Sequence, residues 1–166
     1  MIKRFFIFST VIILSSSCLK SKEPSCTYQA SNFVAPTAEV NSLQGWVSAY
    51  HSGATKDASG FYYEIGNPGS GTVAPSVCSN IVVKYTGTLS NGVKFDENLT
   101  GFSAVLGGLI LGWQKGLPLI KSGGQINLYL PPSMGYGSQD VKDNTGAVVI
   151  PANSILVFNI QLIAVQ

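Results

Sequence analysis

Residues 83–96 read VKYTGTLSNGVKFD and predict two β-strands joined by a tight turn. The first run is rich in β-branched and aromatic residues, which strands favour. The Asn-Gly pair in the middle is typical of a two-residue hairpin turn, where the backbone adopts positive φ angles. The second run alternates apolar and polar residues. We therefore expect Tyr85 and Phe95 to reach one concave face of the hairpin, with the carboxylate of Asp96 at its rim.

Four further segments continue this strand-rich pattern towards the end of the chain. They read LILGWQKGL from 109, LYLPP from 128, GYG from 135 and IPANSILVFNIQL from 150. In this order, and with YTG and NG-x-x-FD before them, these segments resemble the FKBP-type peptidyl-prolyl isomerases, the macrolide-binding immunophilins. The resemblance covers about residues 60–166. It implies an α+β fold in which an antiparallel sheet of about five strands wraps around a short helix.

An N-terminal helix is predicted before this domain. Val40, Leu43, Val47 and Tyr50 follow the spacing of one helical face, so we expect them to pack together against the domain. Thr37 is expected to cap the N-terminus of the helix. The predicted helix has three to four turns.

The first residues have the pattern of a secretory signal. Lys3 and Arg4 precede an apolar run over residues 5–14, which is too short to span a membrane as a helix, and small residues follow it. Cys18 comes directly after these small residues, and the pattern resembles a bacterial lipoprotein signal in which Cys18 carries the lipid. The alternative is an ordinary secretory signal cleaved near Ser17.

These patterns divide the chain into four parts and predict a location in the bacterial cell envelope. The protein is expected to be lipid-anchored on the periplasmic side or at the cell surface, with the membrane as a partner through the anchor. The predicted parts are a signal peptide over 1–17, a tether over 18–35, a helical extension over 36–59 and an isomerase domain over 60–166.

Two further cysteines, Cys26 and Cys78, remain if Cys18 carries lipid. An even number of cysteines in an oxidising compartment favours a disulfide. A bond between Cys26 and Cys78 would tie the N-terminal tail to the loop before the first hairpin. The alternative is a pair of free thiols that never meet.

Charge and residue types argue against several classes of function. Without Lys3 and Arg4, the eight remaining basic residues balance the eight acidic residues, so no basic face for nucleic acid is expected. The only histidine, His51, is expected to be solvated at the end of the N-terminal helix rather than to act as a base. The sequence has no Cys/His spacing suited to a metal, and no cofactor is expected.

The implied reaction needs neither hydrolytic nor redox residues. The barrier to rotation about a peptide bond is about 18–20 kcal/mol, because planarity preserves amide resonance. Resonance places negative charge on the carbonyl oxygen, and water stabilises that planar form. A dry apolar pocket removes this stabilisation and therefore favours the twisted amide. A pocket of aromatic side chains with one or two hydrogen-bond donors at its rim is sufficient to catalyse the rotation.

The resemblance implies a pocket of aromatic and aliphatic side chains. Trp113 would form its floor beneath the proline ring, and Tyr136 would offer its hydroxyl to the carbonyl of the twisting bond. The main-chain N–H of Ile110 would donate a hydrogen bond to a carbonyl of the peptide. The implied catalytic residues are Tyr85, Phe95, Asp96, Trp113, Tyr136 and Phe158. The implied substrate-binding residues are Phe102, Leu109, Ile110 and Ile150, the last of which would cover the site from its loop.

The resemblance therefore predicts a peptidyl-prolyl cis-trans isomerase that assists the folding of exported proteins. Its expected partners are proline-containing polypeptides, and macrolides are expected inhibitors. The alternative is a non-catalytic chaperone or envelope assembly module that binds proline-containing segments. Ala104 favours this alternative, because the family often carries an aromatic wall residue near this position.

Overall fold

The structure, a computed structural model, describes residues 26–166. The predicted signal peptide, Cys18 and the first part of the predicted tether lie outside these residues. Within this range the α-helices are α1 (Thr37–Tyr50) and α2 (Leu111–Gly116). The strands are β1 (Thr55–Lys56), β2 (Tyr62–Asn67), β3 (Asn80–Leu89), β4 (Lys94–Val105), β5 (Gln125–Leu130), β6 (Val141–Lys142), β7 (Val148–Ile150) and β8 (Leu156–Val165). No helix in the described range combines the length and the apolar character that crossing a membrane requires.

Six of the strands form one antiparallel sheet in the order β1-β2-β5-β8-β3-β4. The last strand of the chain, β8, lies inside the sheet and pairs with β5 on one side and with β3 on the other. The predicted α+β fold, an antiparallel sheet of about five strands with a short helix packed on it, is confirmed. The additional strand is β1, which has two residues and lies at one edge. The strands β6 and β7 form a separate two-stranded sheet.

The quoted hairpin forms as predicted, since β3 and β4 pair on either side of the Asn-Gly turn. The glycine of the turn adopts a φ of 85°, a conformation that glycine takes without strain. Near the turn, Gly87 pairs with Asp96 and Thr88 pairs with Lys94, so Phe95 has no partner on β3. This β-bulge places Phe95 outside the regular alternation of the strand.

Helix α2 lies very close to β5, because two of its residues have no side chain. A Cβ atom added at Gly112 would lie 2.3 Å from Cδ1 of Leu130, and one added at Gly116 would lie 2.5 Å from Cδ2 of Leu128. Both leucines are fully buried. The close approach carries Trp113 into the main hydrophobic core.

Helix α1 packs on β2 and β5, in the half of the sheet that lies away from β4. Leu43 and Val47 form a small core with Tyr62 of β2 and Tyr129 of β5. Val40 is buried as well, as the helical periodicity predicts. The helix is therefore held to the sheet by the apolar face that the sequence marks.

Two expectations for α1 are wrong. Tyr50 is 71% exposed, because it is the last residue of the helix, and its ring packs on Trp46 at 5.6 Å rather than on the sheet. Thr37 is the first helical residue and not the cap. Pro36 occupies the cap position and makes no side-chain hydrogen bond, since proline has no polar side-chain atom.

His51, the residue after α1, is half-buried and not solvated as expected. Its Nδ1 lies 2.9 Å from the hydroxyl oxygen of Tyr129, and the two rings stack with centroids 4.4 Å apart. The Tyr129 hydroxyl donates to Oε2 of Glu64 at 2.7 Å. Burial, and then the hydrogen bond to Glu64, raise the pKa of Tyr129 above its ordinary value. This cluster joins the end of α1 to β2 and β5.

Residues 26–35 are predicted as part of a tether, but they lie against the domain and form what we call the N-terminal strap. Cys26 is bonded to Cys78, with their Cα atoms 5.7 Å apart. Further along the strap, Nζ of Lys115 on α2 donates to the main-chain carbonyl of Ser31 at 2.7 Å. A covalent bond and a hydrogen bond thus hold the strap to two parts of the domain.

Candidate functional site

One apolar cavity collects most of the predicted pocket residues. It has a volume of about 290 Å³ and is bordered by β3, β4, β8 and the start of α2. Eight of the ten predicted residues line it: Tyr85, Asp96, Phe102, Leu109, Ile110, Trp113, Tyr136 and Phe158. The two others, Phe95 and Ile150, do not.

Aromatic rings make up the interior of the cavity. The indole of Trp113 is only 4% exposed and lies at the buried end. Tyr85 and Phe158 stand edge-on to it, with ring centroids 5.0 and 5.3 Å away. Phe102 stands edge-on to Tyr85 at 6.0 Å. Such edge-to-face contacts are favourable, because the positive edge of one ring meets the negative face of the other. The four rings therefore stabilise one another's positions.

Two phenol hydroxyls lie among the polar groups of the cavity, beside the carboxylate of Asp96. The Tyr85 hydroxyl donates to Oδ2 of Asp96 at 2.6 Å. Tyr136 is 42% exposed, which places it at the mouth. Burial raises the pKa of both tyrosines, reinforced by the hydrogen bond to Asp96 for Tyr85 and by the charge of Asp96 for Tyr136. Both hydroxyls are therefore protonated, and able to donate, at neutral pH.

Phe95 lies behind the cavity wall and not on it. Its ring stands edge-on to that of Phe158, with centroids 5.6 Å apart. It fills the space over Gly87, where a Cβ atom would lie 2.7 Å from Cζ of Phe95. The β-bulge and the missing side chain at Gly87 together explain this position. Phe95 supports a lining residue but does not itself reach the cavity.

Ile150 does not cover the cavity. It is the last residue of β7, pairs with Val141 of β6 and is 3% exposed within the main core. The pairing of β6 with β7 buries the side chain that was expected at the mouth.

The turn that carries Leu109 and Ile110 is held by a residue that the sequence analysis did not single out. Nε2 of Gln114 donates to the carbonyls of Leu109 at 2.7 Å and Gly107 at 3.1 Å. The Leu109 carbonyl and the Ile110 N–H belong to one peptide group, so Gln114 fixes the direction of that N–H. Within residues 26–166, the Ile110 N–H donates to no protein acceptor. An amide next to Trp113 is the only sequence signal, and it does not reveal these contacts.

A larger hollow of about 430 Å³ lies between the N-terminal strap and α2. Its lining is mainly small and polar, and Phe33 is its single aromatic residue. Size alone does not mark a binding site, because small-molecule and peptide sites combine an apolar wall with a few converging polar groups. The smaller aromatic cavity has that combination and is the candidate site.

Comparisons with known proteins find a matching family and several similar proteins. Residues 71–163 match the family described as FKBP-type peptidyl-prolyl cis-trans isomerase. The isomerase FkpA of Buchnera aphidicola is 40% identical over 117 residues, which cover 69% of this chain and 44% of that protein. A crystal structure of FkpA from Escherichia coli has 34% identity and a TM-score of 0.65, covering 78% of this chain and 58% of the other. A peptidyl-prolyl isomerase structure from Pseudomonas syringae has 28% identity and a TM-score of 0.66, covering 80% and 97%.

The chain spans only part of its longer relatives. For three proteins named FkpA, from two Buchnera aphidicola strains and Escherichia coli, it spans between 42 and 62% of their length. The region that matches the family includes every residue that lines the aromatic cavity. That region is also more than half of the chain. This protein belongs to the family of FKBP-type peptidyl-prolyl cis-trans isomerases.

Proposed function

We propose that this protein catalyses the cis-trans isomerisation of X–Pro peptide bonds in exported polypeptides and so assists their folding. The observation that carries the proposal is the aromatic cavity, with Trp113 at its buried end and the Tyr136 hydroxyl at its mouth. A proline ring is compact and apolar, so it suits a lining of aromatic rings. Family membership supports the same reaction.

The cavity would act by favouring the twisted amide over the planar one. Uncatalysed X–Pro exchange takes tens to hundreds of seconds, and a thousandfold acceleration requires a barrier lower by only about 4 kcal/mol. Removing water from the amide carbonyl destabilises the planar, charge-separated form. A fixed donor that meets this carbonyl, or its neighbour, in the twisted geometry adds to the preference.

Each lining residue then has a defined role. Trp113 would seat the proline ring, and Tyr136 would donate to the carbonyl beside it. The Ile110 N–H would hold a second carbonyl of the peptide. Asp96 would accept from Tyr85 and keep that ring in place. It would not act as a base, because rotation about the amide moves no proton.

The remaining predicted pocket residues have supporting roles in this proposal. Phe102 and Leu109 would line the walls beside the peptide. Phe95 would keep Phe158 in position from behind. A macrolide would compete with the peptide, since both would bury an apolar ring system in the same cavity. Residues 60–166 are the part of the chain to which we assign the activity.

The proposal includes a place in the bacterial cell envelope, with a lipid anchor on Cys18. The basic and apolar start of the sequence supports export, and a disulfide such as Cys26–Cys78 belongs to an oxidising compartment. Buried acyl chains contribute about 0.8 kcal/mol per CH₂ to membrane binding. The intact mass of the mature protein tests the anchor. A mass that shows no acyl chains in the wild type, as in Cys18→Ala, would contradict the anchor.

The activity is tested by the turnover of an X–Pro peptide, with and without a macrolide. Trp113→Ala and Tyr136→Phe are expected to lower kcat/KM about tenfold or more, because one removes the floor and the other a donor. Tyr50→Phe is a control, since Tyr50 is exposed on α1, away from the cavity. If both cavity variants retained full turnover, the assignment would be wrong.

The alternative, a proline-binding module without catalysis, rested on the small side chain of Ala104. Phe102 lines the cavity and stands edge-on to Tyr85, so an aromatic wall is supplied from two residues earlier on β4. No other contact of the described residues favours the module over the enzyme. The peptide assay separates them, because the module would bind the peptide without accelerating its isomerisation.

A further inference from the structure

Tyr28 on the N-terminal strap packs against the turn that leads into the cavity. A Cβ atom added at Gly107 would lie 2.4 Å from Cγ of Tyr28, and one added at Gly108 would lie 3.3 Å from its hydroxyl oxygen. The tyrosine therefore occupies the space where side chains at these two positions would stand. It is 46% exposed, so part of the ring contacts the turn and part faces solvent.

The disulfide fixes where this tyrosine lies. Cys26, two residues earlier, is bonded to Cys78. The loop around Cys78 is itself joined to the turn, since the N–H groups of Leu106 and Gly107 donate to carbonyls of residues 77–79 at 3.0 and 2.8 Å. Strap, loop and turn are thus one connected unit that includes a covalent bond.

The turn continues directly into the cavity. Gly108 is followed by Leu109 and Ile110, and both of these residues line the cavity. Gln114 of α2 donates to the carbonyls of Gly107 and Leu109, so the turn is bound by α2 as well as by the strap. Both contacts are made with the segment that precedes the Ile110 N–H, although neither Tyr28 nor the disulfide lines the cavity.

We propose that Tyr28 is a positioning residue for substrate binding, which holds the turn over residues 106–110 so that the Ile110 N–H is directed at the bound peptide. This inference rests on the proposed function, because it needs a peptide carbonyl as the acceptor. A bond from this N–H forms with both the planar and the twisted amide. Losing its direction therefore raises KM and leaves kcat nearly unchanged.

The first test compares Tyr28→Ala with Tyr28→Phe, which retains the ring, and with Tyr50→Ala, a matched change of an exposed tyrosine elsewhere. Steady-state kinetics with an X–Pro peptide and the ¹H–¹⁵N amide signal of Ile110 in the ligand-free protein are measured. Tyr28→Ala is expected to raise KM about threefold or more, to keep kcat within about twofold, and to shift the Ile110 signal. Tyr28→Phe and Tyr50→Ala are expected to behave as the unmodified protein does.

A second test uses Gly107, whose φ lies outside the positive region, so that alanine meets no backbone strain there. Gly107→Ala alone is expected to raise KM as Tyr28→Ala does, because its methyl group displaces the tyrosine. In the Tyr28→Ala background the same methyl group meets no ring, so the double variant should match the single ones. If the two changes raised KM independently, so that their factors multiplied in the double variant, the contact between Tyr28 and residue 107 would not be their common cause.

The outcomes separate the inference from the proposed function. An Ile110 signal that does not move in Tyr28→Ala overturns the positioning role, whatever the ligand result. A lower unfolding midpoint with unchanged KM also overturns it and leaves Tyr28 a purely structural residue. A wild-type protein that binds no X–Pro peptide overturns the proposed function, while the amide signal still decides whether Tyr28 directs Ile110.

Discussion

The hydroxyl of Tyr85 donates a 2.6 Å hydrogen bond to Oδ2 of Asp96, which joins β3 to β4 at the edge of the aromatic cavity. Tyr85 also stands edge-on to Trp113 and to Phe102. One side chain thus connects the carboxylate at the rim with two rings of the lining. A polar contact thus joins this group of rings to the neighbouring strand.

Removing this contact should loosen the cavity and cost modest stability. We expect Tyr85→Phe and Asp96→Ala each to lower the free energy of unfolding by about 1 kcal/mol, the usual net value of one hydrogen bond. Both should also weaken the binding of an X–Pro peptide, because Tyr85 is no longer held. Urea titration and peptide binding measure the two effects.

The double variant Tyr85→Phe/Asp96→Ala shows whether the two residues act through each other. Its loss in unfolding free energy should be smaller than the sum of the single losses, since the same bond is removed only once. Additive losses would mean that each residue contributes independently, and that the bond does not fix the ring.

The raised pKa of Tyr136 predicts that the activity declines only at strongly alkaline pH. The hydroxyl donates only while it is protonated, and burial together with the charge of Asp96 moves its loss of a proton above the ordinary value of about 10. We expect the decline of kcat/KM that depends on Tyr136 to have its midpoint above about pH 10. A decline with a midpoint below 10 that disappears in Tyr136→Phe would contradict this expectation.

The long elements of the fold were predictable from periodicity. The hairpin of β3 and β4 and the buried helical face of Val40, Leu43 and Val47 occur where the sequence pattern places them. The strand Thr55–Lys56 was missed, because two residues at a sheet edge have no period to detect. The exposure of Tyr50 was missed for a related reason. Periodicity predicts which face of a helix is buried, but not the point at which the helix extends beyond the edge of the sheet that it packs on.

The cavity lining was predictable where the family motifs fix a position in the sheet, as for Tyr85, Trp113 and Phe158. Phe95 was misplaced because a β-bulge interrupts the alternation from which its direction was read. Tyr28 and Gln114 were not found at all. Their roles depend on contacts between distant segments or with main-chain carbonyls, which leave no pattern in the sequence.

Replacing Gln114 with glutamate should misdirect the Ile110 N–H. The side chains have the same shape, but a carboxylate cannot donate to the carbonyls of Gly107 and Leu109. We expect KM to rise severalfold with little change in kcat, and the unfolding free energy to fall by about 1–3 kcal/mol, as for unsatisfied polar groups. Gln44→Glu, an exposed position on α1, is the matched control. Unchanged kinetics in Gln114→Glu would show that the turn keeps its shape without the side chain.

Two glycine-to-alanine changes should have opposite effects on stability. Gly112→Ala would place a Cβ atom 2.3 Å from Cδ1 of the buried Leu130, and such overpacking costs about 1–3 kcal/mol. The displaced α2 should also weaken peptide binding through Trp113. Gly45→Ala, within α1, meets no atom within 4 Å and should stabilise the protein by about 0.5–1 kcal/mol. Thermal or urea unfolding tests both, and equal effects would contradict the close approach of α2 to β5.

Tyr129 should make the stability of the protein fall at alkaline pH. Its pKa is raised in the folded state by burial and by the hydrogen bond to Glu64, while in the unfolded chain it titrates near about pH 10. Above that pH the unfolded chain loses a proton that the folded protein keeps. The stabilisation is therefore complete below about pH 10 and is lost as pH rises through the folded pKa, at up to about 1.4 kcal/mol per pH unit.

The variant Tyr129→Phe isolates this effect, because phenylalanine does not titrate and keeps the ring that packs on His51. At neutral pH the variant should be less stable than the wild type, since Glu64 loses the short hydrogen bond from the Tyr129 hydroxyl. Above about pH 10 the difference in unfolding free energy between the two proteins should shrink. Only in the wild type does the unfolded chain lose a proton at residue 129 that the folded protein keeps, and this favours unfolding. Urea titrations between about pH 8 and pH 11 measure this difference, with Tyr50→Phe as the control at an exposed site. A difference that stays constant across this range would mean that Tyr129 loses its proton equally easily in the folded and unfolded chains.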